Sequence, residues 1–229
     1  MIHEGMADQL DVKSLRGTPK TTIRNPAEPL TKDRVRAEAN DRFLFVGRVE
    51  REKGVDVLCA AARLAGVSLR VAGEGPLLAS LKEAYPEFRF DGWSDRRALA
   101  SALREARALV MPSRYPEPFG LVAAEASLSG VPVIASKTAL LAPEIERRGI
   151  GWTCDPADVT HLAETLRRVA HREGGTIEAM SRRAYQREVA ICHSDASWID
   201  ALMELYRELS ETSSSSASSS RRRVVQDAR

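Results

Sequence analysis

The chain has 229 residues, 43% of them hydrophobic, and a formal charge of +2, which suffices for one large or two small domains with a sizeable core. Arg221, Arg222, Arg223 and Arg229 face only Glu211 and Asp227 within residues 211–229, so the excess charge belongs to the tail, and the near-neutral body argues against a nucleic-acid binder. No apolar run reaches the about 18 residues of a membrane span, the start lacks the order of a signal peptide, and the scattered Cys59, Cys154 and Cys192, without CxxC spacing, predict a reducing, cytoplasmic setting and no cysteine-bound metal.

Residues 1–40 are polar, contain Pro19, Pro26 and Pro29, and show little periodicity; they read as a linker or the remnant of a preceding domain. Regular alternation starts at Asp41. Arg42–Val46 (RFLFV) has strand length and ends at Gly47-Arg48, and Val55–Ala65 carries apolar residues at helical spacing. Val67–Ala72 reads as a strand ending at Gly73-Glu74-Gly75-Pro76, Leu77–Tyr85 as a helix, and Glu87–Phe90 as a strand ending at Asp91-Gly92-Trp93. Ser94 or Asp95 caps a helix to about Glu105, and Ala108–Met111 is the next strand. Val131–Ala135 and Gly151–Cys154 are strands flanking a short helix near Pro143–Arg147, followed by helices over Asp158–His171 and Thr176–Ile191. The last helix, capped by Ser194 or Asp195, has a wide apolar face that includes Trp198, Leu202, Leu205 and Leu209 and is expected to pack back on the sheet. The Ser- and Arg-rich residues 211–229 read as a disordered tail.

Strands alternating with helices over residues 41–210 predict an α/β domain, a doubly wound, Rossmann-like parallel sheet of about six strands. Ligands of such sheets bind beyond the carboxyl ends of the strands. Gly47, Arg48, Gly73, Asp91, Gly92, Ser113 and Glu117 all fall on that rim.

The most informative stretch is Pro116–Gly130, PEPFGLVAAEASLSG. Two prolines force an irregular turn, and from Phe119 onward the apolar residues recur at helical spacing. The amides of Phe119, Gly120 and Leu121 then open a helix without intrahelical partners, and Gly120 leaves room for an anion to approach them. Glu125 lies roughly 8 Å along that helix, at about 1.5 Å per residue, a distance that suits a ribose diol whose phosphates sit on the helix start. Glu117, on the loop side, faces whatever the phosphates carry. Arg48 and Lys53, between the first strand and its helix, supply positive charge for a diphosphate leaving group, Arg as a planar fork and Lys as a point charge.

FVGRVEREKG, VAGEGPL, VMPS, EPFGLVAAEA and GVPVIAS, in this order, resemble the donor-binding domain of a glycosyltransferase family 4 enzyme of the GT-B fold, over about residues 41–209. Glu117 and Glu125 match the family's E-x7-E signature. The resemblance implies transfer of a hexose from a nucleotide diphosphate sugar to an acceptor, with retention of anomeric configuration and no bound metal or other cofactor. It implies that Arg48 and Lys53 stabilise the diphosphate, that Glu117 binds the transferred hexose and Glu125 the ribose, and that the amides of Phe119, Gly120 and Leu121 hold phosphate or sugar. The base is expected near Asp91-Gly92-Trp93, with Gly73 giving room.

Two departures qualify the resemblance. The family's Gly-Gly turn after GVPVIAS is here Lys137–Leu141, before Ala142-Pro143-Glu144, so that loop is altered. Residues 1–40 are too short for the family's acceptor domain, so the expectation beside a nucleotide-sugar donor is either a separate acceptor-domain protein as partner or a truncated form of a longer enzyme. The alternative is a non-catalytic nucleotide-sugar-binding module or a subunit of a split glycosyltransferase. A dinucleotide oxidoreductase is disfavoured, because Gly47-Arg48-Val49 is not GxGxxG and Gly73-x-Gly75 is followed by Leu78 where the third glycine belongs.

Overall fold

The structure is a computed structural model that describes Met6 and residues 19–172, 174–186 and 189–226, with side chains through residue 211. The strands are β1 (Arg42–Val46), β2 (Leu69–Ala72), β3 (Arg89–Gly92), β4 (Ala106–Met111), β5 (Val133–Ser136) and β6 (Gly151–Cys154). Helices α1 (Val55–Ala65), α2 (Leu78–Ala84), α3 (Arg96–Arg104), α4 (Leu121–Leu128) and α5 (Ala142–Arg147) connect them, and α6 (Val159–Ala170), α7 (Gly174–Tyr185) and α8 (Asp195–Gln226) follow. The strands pair in parallel in the order β3-β2-β1-β4-β5-β6. This is the expected doubly wound α/β sheet.

Every residue of β2, β4 and β5 is buried, as strands covered by helices on both faces require. Alternation along β1 divides the core in two. Phe43 and Phe45 join Leu58, Val71, Leu162 and Leu166 on one face, while Leu44 joins Leu103, Leu109, Val133 and Ile145 on the other. On the first face α1 packs against α6. Helix starts follow side-chain capping: Asp95 accepts the amide of Ala98, and Asp158 those of Thr160 and His161.

Three regions differ from the sequence expectations. The segment preceding β1 is not a free linker: Ala27, Thr31, Val35 and Ala37 are buried. Arg24 is ion-paired with Glu144 at 2.8 Å, and the Val35 amide donates to the Ser129 carbonyl at 2.8 Å. Partners so distant in sequence leave no periodicity to read. Helix α7 stops at Tyr185 instead of running to Ile191; Val189–Cys192 returns along the body, where Ile191 is buried and Pro26 bridges His193. Helix α8 half-buries Trp198, Leu202 and Leu205 but leaves Ile199, Met203, Tyr206 and Leu209 exposed, so its apolar face is only partly covered, and it continues to Gln226 through most of the segment expected to be disordered.

The strand order switches between β1 and β4, whose connections leave in opposite directions, and a crevice opens there at the carboxyl ends.

Candidate functional site

Two adjoining cavities occupy this crevice. One, of about 360 Å³, is lined by Gly47, Arg48, Lys53, Ser113, Glu117, Gly120, Leu121 and Glu125, with Phe45, Val46, Met111 and Val122 as apolar wall. The other, of about 260 Å³, shares Val46, Gly47 and Arg48 and extends to Gly73, Glu74, Trp93, Ser94 and Leu99. Eight of the residues singled out in the sequence thus meet in one cavity, and Gly73 lines the next.

The loop between β4 and α4 is built from several sides. The Arg114 amide donates to the Glu52 carbonyl at 2.8 Å, and its guanidinium reaches the Arg51 carbonyl and Asp56. From the Lys137–Leu141 loop, the Thr138 hydroxyl donates to the Ser113 carbonyl and the Leu140 amide to the Glu117 carbonyl, both at 3.1 Å. The loop that departs from the family pattern therefore braces the Glu117 turn.

Within this frame Glu117 Oε2 accepts from Lys53 Nζ at 2.7 Å, Tyr115 Oη at 2.7 Å and Ser113 Oγ at 3.1 Å. Lys53 also donates to Tyr115 Oη at 2.5 Å and lies 4.8 Å from that ring's centre. Burial works against the charge of Glu117, but the bonds from Lys53 and Tyr115 outweigh it and hold the carboxyl below its ordinary value. Burial likewise opposes the Lys53 ammonium, and its bonds to Glu117 and Tyr115 raise it above its ordinary value. Both are therefore charged at neutral pH. Tyr115 was not singled out in the sequence; its only signal is its place between Ser113 and Glu117 in the same turn.

Glu125 behaves differently. Burial pushes its carboxyl up, and Arg96, donating to Oε1 at 3.1 Å, offsets only part of that. Arg48 is exposed along the rim, with Nη2 2.8 Å from Glu50 Oε1. That oxygen nevertheless lacks an aligned hydrogen bond. The pair is close but loosely made, so Arg48 is able to turn toward an anion.

Helix α4 begins at Leu121, two residues later than the periodicity predicts. Gly120 caps it with φ 71°, a left-handed conformation that ends the turn and that a side chain would strain. The amides of Phe119, Gly120 and Leu121 donate to no other group among the described residues, while the Phe119 side chain is buried in the core. Asp91 and Gly92 line neither cavity. The Asp91 carboxylate is occupied by Arg70 at 2.6 Å and Arg89 at 2.7 Å, which hold it below the usual carboxylate range against the effect of burial. The Gly92 carbonyl accepts the Gly73 amide at 2.8 Å. Trp93, 73% exposed, is the member of this turn that faces a cavity.

No described helix is long and apolar enough to cross a membrane. Residues 28–187 match the family model described as Glycosyl transferases group 1. The chain is 36% identical over 167 residues to glycogen synthase of Mycobacterium tuberculosis, an alignment covering 68% of this chain and 39% of that protein. In fold it resembles sucrose-phosphate synthase from Thermosynechococcus elongatus, with a TM-score of 0.75 and 25% identity over 91% of this chain and 56% of that one. It also resembles HepE of Anabaena, solved in complex with UDP-glucose, with a TM-score of 0.69 and 18% identity over 82% of this chain and 57% of that one.

Proposed function

The chain belongs to the glycosyl transferases group 1 family, and from that premise we propose that it binds a nucleotide diphosphate sugar as the donor-binding half of a retaining hexosyltransferase that needs no bound metal. The observation that carries this reading is the convergence of Arg48, Lys53, Glu117 and Glu125 on one cavity at the carboxyl ends of β1 and β4.

In this reading the phosphates lie at the start of α4, against amides that have no other partner and the positive end of the helix. Arg48 and Lys53 meet the negative charge that grows on the diphosphate as its bond to the anomeric carbon breaks, the kind of electrostatic stabilisation that usually dominates the rate. The acceptor hydroxyl bonds to that carbon and passes its proton to the departing phosphate oxygen. Glu117, with Oε2 committed to Lys53, Tyr115 and Ser113, has Oε1 for a sugar hydroxyl. Glu125 takes the ribose diol, and the base lies in the adjoining cavity beside Trp93. Because Asp91 is committed to two arginines, the base meets the turn at Trp93 and not that carboxylate.

Closing such a cleft over the sugar takes a second, acceptor-binding lobe, and this chain spans 39% of the length of the mycobacterial glycogen synthase. The chain alone is accordingly expected to bind donor weakly and to transfer little. Calorimetric titration with UDP-, GDP- and ADP-glucose tests the reading, on the parent and on Glu125→Ala. Losing a charged contact to ribose costs roughly 1.5–3 kcal/mol, a tenfold or greater loss of affinity. Binding of one nucleotide sugar that Glu125→Ala abolishes is the expected result. Absence of binding to all three at millimolar concentration overturns the reading.

A further inference from the structure

The carboxylate proposed to bind ribose is held by a residue that this reading leaves unused. Arg96, the first residue of α3, donates through Nη1 to Glu125 Oε1 at 3.1 Å and through Nη2 to the carbonyls of Glu28 at 3.2 Å and Pro29 at 3.0 Å. One guanidinium thus joins α3, α4 and the segment before β1. That segment is also fastened to the far end of α4. The amides of Leu30 and Thr31 donate to Ser129 Oγ at 2.9 and 3.3 Å, and Ser129 Oγ donates to the Glu125 carbonyl at 2.8 Å.

We infer that Arg96 is a positioning residue for the donor site, which fixes Glu125 by Oε1, leaves Oε2 to a ligand hydroxyl, and couples occupancy of the site to the chain at Glu28–Pro29. The inference rests on the donor-site reading above. The guanidinium reaches the carboxylate through one nitrogen and the two carbonyls through the other, a spread that the single nitrogen of an ammonium does not reproduce. Arg96 is also the cation that hydrogen-bonds Glu125. Of the charged groups that share its cavity, Lys53 and Glu117 are bonded to each other and Arg48 lies beside Glu50. On the side of the preceding segment, the nearest charged residue in sequence to the contact is Glu28 itself.

The consequence is a pH dependence with a definite sign. Burial already raises the Glu125 carboxyl, and removing Arg96 takes away what opposes that rise, so the carboxylate protonates earlier as pH falls. The probe is whichever of UDP-, GDP- and ADP-glucose binds the parent, because the diphosphate of a nucleotide sugar, esterified at both ends, stays ionised throughout such a titration and adds none of its own. Calorimetry on the parent, Arg96→Met, Arg96→Lys and Glu125→Ala should show Arg96→Met weaker by about tenfold near neutrality. Its deficit should widen toward pH 5.5, and Arg96→Lys should recover the pH profile but not the full affinity. Carbon NMR titration of the glutamate carboxylates, which needs no ligand, should show Glu125 moving to higher pH in Arg96→Met. Hydrogen exchange at Leu30 and Thr31 should slow on donor binding in the parent and not in Arg96→Met.

If Arg96→Met binds the nucleotide sugar with the parent's affinity and pH profile while Glu125→Ala abolishes binding, the inference is overturned and the donor-site reading stands. If neither substitution alters binding, or none of the three donors binds, the donor-site reading falls and the inference falls with it. The NMR titration separates the cases, since it reports the Arg96–Glu125 contact whether or not a nucleotide binds.

Discussion

Tyr115 converts an ion pair into a three-membered unit. Its hydroxyl accepts from Lys53 and donates to Glu117, and its ring lies beside the ammonium. Tyr115→Phe keeps the ring and the turn but removes one hydrogen bond from each charged partner. The expected cost in donor affinity is about 1 kcal/mol, roughly fivefold in Kd by calorimetry, with thermal stability nearly unchanged. Undiminished affinity would show that the Lys53–Glu117 pair needs no third member. At this scale the sequence offered residue types and spacing but not partners. Glu117 and Glu125 were legible because only seven residues, with a helix start among them, separate the two. The contacts of Lys53 with Tyr115 and of Arg96 with Glu125 span 62 and 29 positions and leave no mark on any local pattern.

The loops of β1 and β4 meet at Gly54. This residue adopts φ 70°, and a Cβ there would lie 2.1 Å from the Pro112 carbonyl oxygen, immediately before Ser113. Gly54→Ala therefore combines a left-handed backbone with a collision that only loop displacement relieves. A loss of roughly 2 kcal/mol or more is expected in chemical denaturation. Donor binding should weaken as well, because the displaced loops carry Lys53 and Ser113. Parent-like stability would mean that the two loops approach less closely than described. Among the elements, the strand over Arg42–Val46 and the helix over Val55–Ala65 have the bounds their composition predicts. Apolar run length and helical period were sufficient there. Helix α4 was legible as an element but misplaced by two residues, since a backbone conformation at Gly120 sets its start and hydrophobic period carries no trace of that.

Across the whole molecule, Glu144 ties the segment before β1 to the body. Its buried carboxylate accepts from Arg24 at 2.8 Å and from Arg148 Nε at 2.7 Å, and these partners hold it below the ordinary glutamate value although burial opposes them. Removing the charge leaves two arginines poorly compensated, so Glu144→Gln should lose about 3 kcal/mol at neutral pH. The depressed value fixes the sign of the pH effect. The stabilisation is complete above the unfolded glutamate's titration and drains as pH falls through the lower, folded one. Denaturation midpoints of parent and variant should therefore converge in acid; a gap independent of pH would locate the contribution in shape and not in charge. This tether was illegible in the sequence, where residues 1–40 look like spacer. Arg24 meets Glu144 across 120 positions, a separation that no local pattern records.

The sheet order also bears on how the molecule comes to exist. Residues of β1 find their β2 neighbours 26 positions along the chain, as Phe43 does with Leu69, but their β4 neighbours 65 positions along, as Phe43 does with Ala108. Closing the longer loop costs more chain entropy before any contact rewards it. The half of the sheet from β1 to β3 is thus the part that can assemble from nearby sequence, and docking of β4 against β1 is the later, slower event. The crevice does not exist until that docking is complete. Any ligand of this crevice would therefore act by mass action on the finished fold, lowering its rate of opening, and would have nothing to grip during the steps that decide how fast the chain folds.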